Sequence, residues 1–200
     1  DGTWRLPLEV YSPEAFGFLS IIGLPHLAAA RAFLLMGLTG LLKLKDTEFR
    51  CSSVMVYGLY WFIAGFFQPL TLAVGCAILA VYVLFVWIFS NNLDIEGTLP
   101  YLKKASVMVI GASPWILYNL FFFSSDEYLK SWYSQNIISS PPLYDYLWSF
   151  GVYLIATIPA VKQIFKQKDN RAIILPVWII CAAVLAYVPY NLQRRFIDGV

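Results

Sequence analysis

The chain has 200 residues, of which 60% are hydrophobic and 13% charged, with a mean hydropathy of +0.67 and a net charge of +2. Soluble globular domains carry about 45–50% apolar and about 25% charged residues, so this balance excludes an ordinary soluble domain. It also lacks the basic footprint of a nucleic-acid binder, and one histidine with three cysteines outside any ligand spacing excludes a multi-histidine metal site. Cys51, Cys76 and Cys181 read as small apolar packing residues.

The chain begins at Asp1, with no Met and no targeting sequence, and stops at Val200 just after a charged cluster. It is expected to be a segment of a larger multi-pass protein. Its first apolar segment, 15–42, is interrupted by Pro25-His26 and Arg31. It exceeds the ~17–25 residues of one span, and Pro25 removes a backbone donor, so a break is expected within about two residues of Pro25. That gives a short interfacial or re-entrant helix, 13–24, and then a span, 25–42. Ser12-Pro13-Glu14 reads as a helix start, with Ser as the cap and Pro at the first helical position.

An uncharged run, 51–93, follows, broken in the middle by Gln68-Pro69. One helix of that length would be roughly 64 Å long, about twice the hydrocarbon thickness of a bilayer. It is therefore read as two spans, 52–67 and 69–89, joined by a turn at Gln68-Pro69. Three more are placed at 105–123, 146–161 and 172–190. The loop 124–142 is aromatic and ends in Ser139-Ser140-Pro141-Pro142, and the two prolines stiffen its exit. Trp132 and Tyr133 are expected in the headgroup region. The fold class is all-α: a polytopic transmembrane bundle of about six spans plus the short helix near the N-terminus.

Basic residues orient this topology. Lys43, Lys45, Arg50, Lys103, Lys104, Lys162, Lys166, Lys168 and Arg171 fall on one side. Arg5, Lys130, Arg194 and Arg195 fall on the other, with Arg31 inside a span. The positive-inside rule places the first group in the cytoplasm.

Motifs of soluble enzymes are absent: there is no P-loop, GxGxxG, GxSxG or HExxH. Gln193-Arg194-Arg195 is the strongest local signal, with Asp198 close behind. The planar fork of an arginine suits phosphate, and here it lies on the side where positive charge is disfavoured. The competing reading is that the arginines snorkel and anchor in headgroups. His26 is suited to bonding a substrate hydroxyl or moving a proton, or is a satisfied histidine beside a proline break. Arg31 faces either a cavity or a shallow interface. Asn119 with Trp115 and Tyr118, and Gln135 with Asn136, suit sugar hydroxyls and rings but are also ordinary interface residues. Asp126-Glu127, Asp94 and Glu96 read as solvated loop carboxylates, and none has a partner that marks acid–base work.

Three strings carry a resemblance. They are Trp132-Tyr133-Ser134-Gln135-Asn136 with Ser139-Ser140-Pro141-Pro142-Leu143, the string Ser113-Pro114-Trp115-Ile116-Leu117-Tyr118-Asn119, and Tyr187-Val188-Pro189-Tyr190-Asn191-Leu192-Gln193-Arg194-Arg195-Phe196-Ile197-Asp198-Gly199. Together they resemble bacterial polytopic membrane glycosyltransferases of the GT-C fold, which use polyprenyl-phosphate sugars. The resemblance implies a multi-pass protein of the bacterial plasma membrane that transfers a sugar on its extracytoplasmic face. Arg194 and Arg195 would neutralise the leaving phosphate, Gln193 and His26 would assist binding, and an acidic catalytic residue would lie upstream of Asp1. The lipid bilayer is the expected partner, and no metal is implied. The alternatives are a transporter or lipid flippase using the same arginines, or a structural subunit without a site.

Overall fold

A computed structural model describes residues 23–43, 51–89, 95–167 and 171–197. The regular elements among them are all helical: α1 (Pro25–Lys43), α2 (Cys51–Phe67), α3 (Pro69–Phe89), α4 (Ile95–Ser125), α5 (Glu127–Gln135), α6 (Leu143–Gln167), α7 (Ile174–Leu185) and a 3-10 helix (Gln193–Ile197). Four of them, α1, α3, α4 and α6, are long and apolar enough to cross a membrane.

Prolines set two of the boundaries as expected. Leu24 is non-helical and α1 starts at Pro25, with the Leu24 carbonyl accepting from Leu27 and Ala28. Gln68 is likewise the single non-helical residue between α2 and α3. A residue before proline is pushed out of the α region, whereas proline itself is pre-set for the first helical position. The short helix expected over 13–24 lies outside the described residues, apart from helical Gly23 at its end.

Three spans differ from expectation; the fifth, expected at 146–161, is the longer α6, Leu143–Gln167. The fourth was expected at 105–123 but α4 runs Ile95–Ser125, through Pro100 and Pro114. The Ser113 hydroxyl donates to the Ile110 carbonyl at 2.7 Å, the carbonyl that the missing N–H of Pro114 leaves open, so the helix continues. Lys103 and Lys104 therefore sit on a helix, and Lys104 is buried, 2% exposed, over the ring of Tyr101 at 5.6 Å. The sixth span was expected at 172–190, but α7 has only 12 residues, Ile174–Leu185. Its length is about 18 Å, short of the ~30 Å hydrocarbon core. Pro189 forces its neighbour out of helical geometry, and the chain leaves α7 through turns closed by Tyr187 N–H to Val184, Val188 N–H to Leu185 and Tyr190 N–H to Val188.

The core is built around α2, which packs against α1, α3 and α4. Trp61 is fully buried and donates its indole N–H to the Leu34 carbonyl of α1 at 3.3 Å. It fits because two glycines make room: a Cβ on Gly37 would lie 2.5 Å from the indole, and one on Gly75 would lie 3.0 Å from its far edge. On the opposite side α2 meets α4 backbone to backbone, where a Cβ on Gly111 would lie 2.4 Å from the Gly58 carbonyl oxygen. Small residues of this kind let membrane helices approach and gain van der Waals contact where lipid offers no hydrophobic drive. α3 adds Leu72, Ile78, Leu79 and Tyr82 to the core, and α7 docks on α3 through Val177 and Cys181.

Candidate functional site

Two segments far apart in sequence meet at the end of the bundle where α4 stops and α6 begins. One is α5 with its exit, 136–142; the other is the stretch 186–197 beyond α7. Asp126 caps α5 by accepting from the Leu129 N–H at 2.9 Å, and Asn136 closes it by donating backbone and side-chain N–H to the Trp132 carbonyl. The chain after Asn136 is then clamped. Ile138 donates to the Asn191 carbonyl at 2.6 Å and accepts from the Arg194 N–H at 3.3 Å. The Asn191 amide donates to the Tyr133 carbonyl at 2.9 Å. Ser140 donates its N–H to Gln193 Oε1 at 3.3 Å and its hydroxyl to the Ala186 carbonyl. Tyr187 donates to the Pro141 carbonyl at 2.9 Å.

Aromatic rings fill the space beneath these bonds. Tyr190 lies between Tyr133, at 5.3 Å, and Phe196, at 5.6 Å, while Tyr187 meets Tyr146 edge to face. Tyr146, Ala186 and Ile197 are buried together. Tyr187 and Tyr190 lie beyond the end of α7. Burial is the main cause that raises both phenols above their ordinary value, with Asp145 adding to it at Tyr187 and Tyr133 at Tyr190. Both therefore stay protonated, and Tyr187 remains a neutral donor.

The 3-10 helix packs on α3 and α7. It holds Phe196 and Ile197 inward and leaves Gln193, Arg194 and Arg195 half-buried. Gln193 is spent on Ser140. Arg195 uses its backbone N–H on Leu192, and among the described residues no hydrogen bond or ion pair engages its guanidinium. Asp198 lies outside the described residues.

The remaining sequence candidates are not part of this clamp. His26 is exposed at the second position of α1, which packs on α2, α3 and α4. Arg31 is half-buried on the same helix. The Asn119 amide donates to Trp115 within α4, and Trp115 packs edge-on against Phe66 of α2. The Gln135 amide bonds Ser131 on its own helix. Of the two aromatics expected in the headgroup layer, Tyr133 is half-buried in the clamp and Trp132 is exposed. Sequence reasoning passed over Asp145, a half-buried carboxylate in the first turn of α6 that faces Tyr187. Only its position two residues from the first-turn boundary at Leu143, a favoured place for a carboxylate, signals it in the sequence.

No family model matches the chain, and no curated protein or solved structure matches it.

Proposed function

We propose that this is a multi-pass membrane protein of the bacterial plasma membrane that transfers a sugar from a polyprenyl-phosphate donor on the extracytoplasmic face. The chain would cross about six times, with the short α2 and α7 completing spans alongside the four long helices. One observation carries the reading: a half-buried Arg195 guanidinium without a described partner, held beside Arg194 on a 3-10 helix that the 136–142 loop fixes in place.

A half-buried guanidinium favours an anion that accepts two parallel N–H bonds, and a phosphate does so. In displacement at the anomeric carbon, an acceptor hydroxyl oxygen bonds to that carbon and gives its proton to the acidic residue that the resemblance implies, while the bond from the carbon to the phosphate oxygen breaks and negative charge builds on the leaving phosphate. Arg194 and Arg195 stabilise that charge in the transition state, with Gln193 holding the loop against them and His26 assigned to donor binding. In the full-length protein, Arg195→Ala or Arg194→Ala is expected to cost on the order of 2–4 kcal/mol in transition-state stabilisation. Lysine restores only part of it, because it cannot grip two oxygens in one plane. The measurement is turnover with a lipid-phosphate sugar, together with photo-crosslinking to a lipid-phosphate analogue, on variants that insert normally. Wild-type turnover and crosslinking in both alanine variants would make the arginines headgroup anchors and remove the transferase reading.

A further inference from the structure

We infer that α5 is an interfacial helix, lying in the headgroup layer of the bilayer leaflet at the outer end of the bundle, with one half of its apolar arc docked on the protein and the other half in lipid. The sequence of α5 divides cleanly around a helical wheel. Tyr128, Leu129, Trp132 and Tyr133 occupy one arc, and Glu127, Lys130, Ser131 and Ser134 the other. The structure then divides the apolar arc itself. Leu129 and Tyr133 are half-buried, and Tyr133 is fastened to Asn191 with its ring tilted against Tyr190 at 5.3 Å. Tyr128 is 76% exposed and Trp132 39%.

The level of α5 follows from its junction with α4. Only Asp126 separates the two helices. Had α4 continued straight, Phe123 and Tyr133 would be about 15 Å apart along the axis. Their ring centroids are 6.4 Å apart, and those of Phe123 and Trp132 6.3 Å. The chain therefore folds back over the end of α4 and places α5 level with its last turns. Those turns are apolar and uncovered: Phe121 is 65% exposed and Phe122 38%. At 31 residues, α4 is about 46 Å long, more than the ~30 Å hydrocarbon core, so its end reaches the interface. A Trp and a Tyr on the outer arc, polar groups on the other and an apolar helix end alongside match the headgroup boundary, where aromatic rings with one polar edge are favoured.

This placement is independent of the transferase reading. The test uses the full-length protein with Cys51, Cys76 and Cys181 replaced by alanine, in nanodiscs of phosphatidylcholine and phosphatidylglycerol. Single cysteines at positions 127, 128, 131, 132 and 134 carry a nitroxide, and each is scored for its relative accessibility to oxygen and to a water-soluble nickel chelate. Tyr128→Cys leaves packing intact, because its side chain is almost free of protein. Oxygen access is expected to exceed nickel access severalfold at 128 and 132, with the order reversed at 127, 131 and 134. Nickel access equal at all five positions would overturn the inference by placing the whole helix in water. Protection of 128 and 132 from both reagents would overturn it too, by showing a protein partner or a second copy on that face.

Discussion

At the residue scale, the bundle is decided by where side chains are missing. Gly58 and Gly111 let α2 and α4 touch through backbone atoms, and Gly37 and Gly75 make the slot for Trp61. The Trp61 indole bonds Leu34 and is sealed from solvent, so no lipid or water replaces that partner. Gly151 on α6 is the contrast: a Cβ there would meet nothing within 4 Å. Gly111→Ala must push backbone away from backbone and is expected to destabilise the fold by about 1–3 kcal/mol. Gly151→Ala adds no contact and raises helix propensity by up to about 1 kcal/mol, so it should be neutral or stabilising. Denaturation in detergent micelles compares the two, and equal midpoints would refute the close α2–α4 approach.

At the scale of elements, the end of the bundle is held by hydrogen bonds between loops, while α6 is held mostly at its ends. Tyr146 is the one buried residue described on α6, and Phe165 near its other end meets Phe89 of α3 at 5.8 Å. Between those points Val152, Tyr153 and Ile155 are exposed, as suits a helix facing lipid. The clamp is the stiffer unit, because Asn191 links Tyr133 and Ile138 at once. Asn191→Ala removes the side-chain bond to Tyr133 at a cost of about 1 kcal/mol, and amide exchange at Ile138 should rise roughly fivefold. Exchange unchanged at Ile138 would mean that the loop is fixed by Ser140 and Tyr187 alone.

For the whole molecule, the expected orientation in the membrane rests on the alternation of basic loops in the sequence. Burial of Lys104 in α4 removes one charge from the expected cytoplasmic tally but leaves that side in the majority. Cysteines at positions 130 and 168 are expected to label from opposite faces of the membrane, with 168 cytoplasmic. Labelling of both from one face would overturn the expected six-span topology, and if that face is the cytoplasmic one it would also put the arginines, which the clamp ties to the loop after α5, on the wrong side for an extracytoplasmic donor.

The sequence by itself determined the membrane class, the all-helical fold and the helix boundaries that proline enforces, at Pro25 and Pro69. Those are local effects: apolar run length meets bilayer thickness, and a proline ring acts on its immediate neighbours. It misplaced the start of α4, because Lys103 and Lys104 read as a loop, whereas the helix begins at Ile95 and Lys104 is buried in it. It overestimated α7, because an uncharged stretch has no local mark that separates helix from turns. The strings at 132–143 and 187–199 were each visible in the sequence. Only the tertiary structure decided that they clamp one another and that Arg195 is left half-buried on the 3-10 helix beside that clamp. Hydrogen bonds between residues more than fifty positions apart, such as Ser140 with Gln193 and Tyr133 with Asn191, leave no periodicity in the chain.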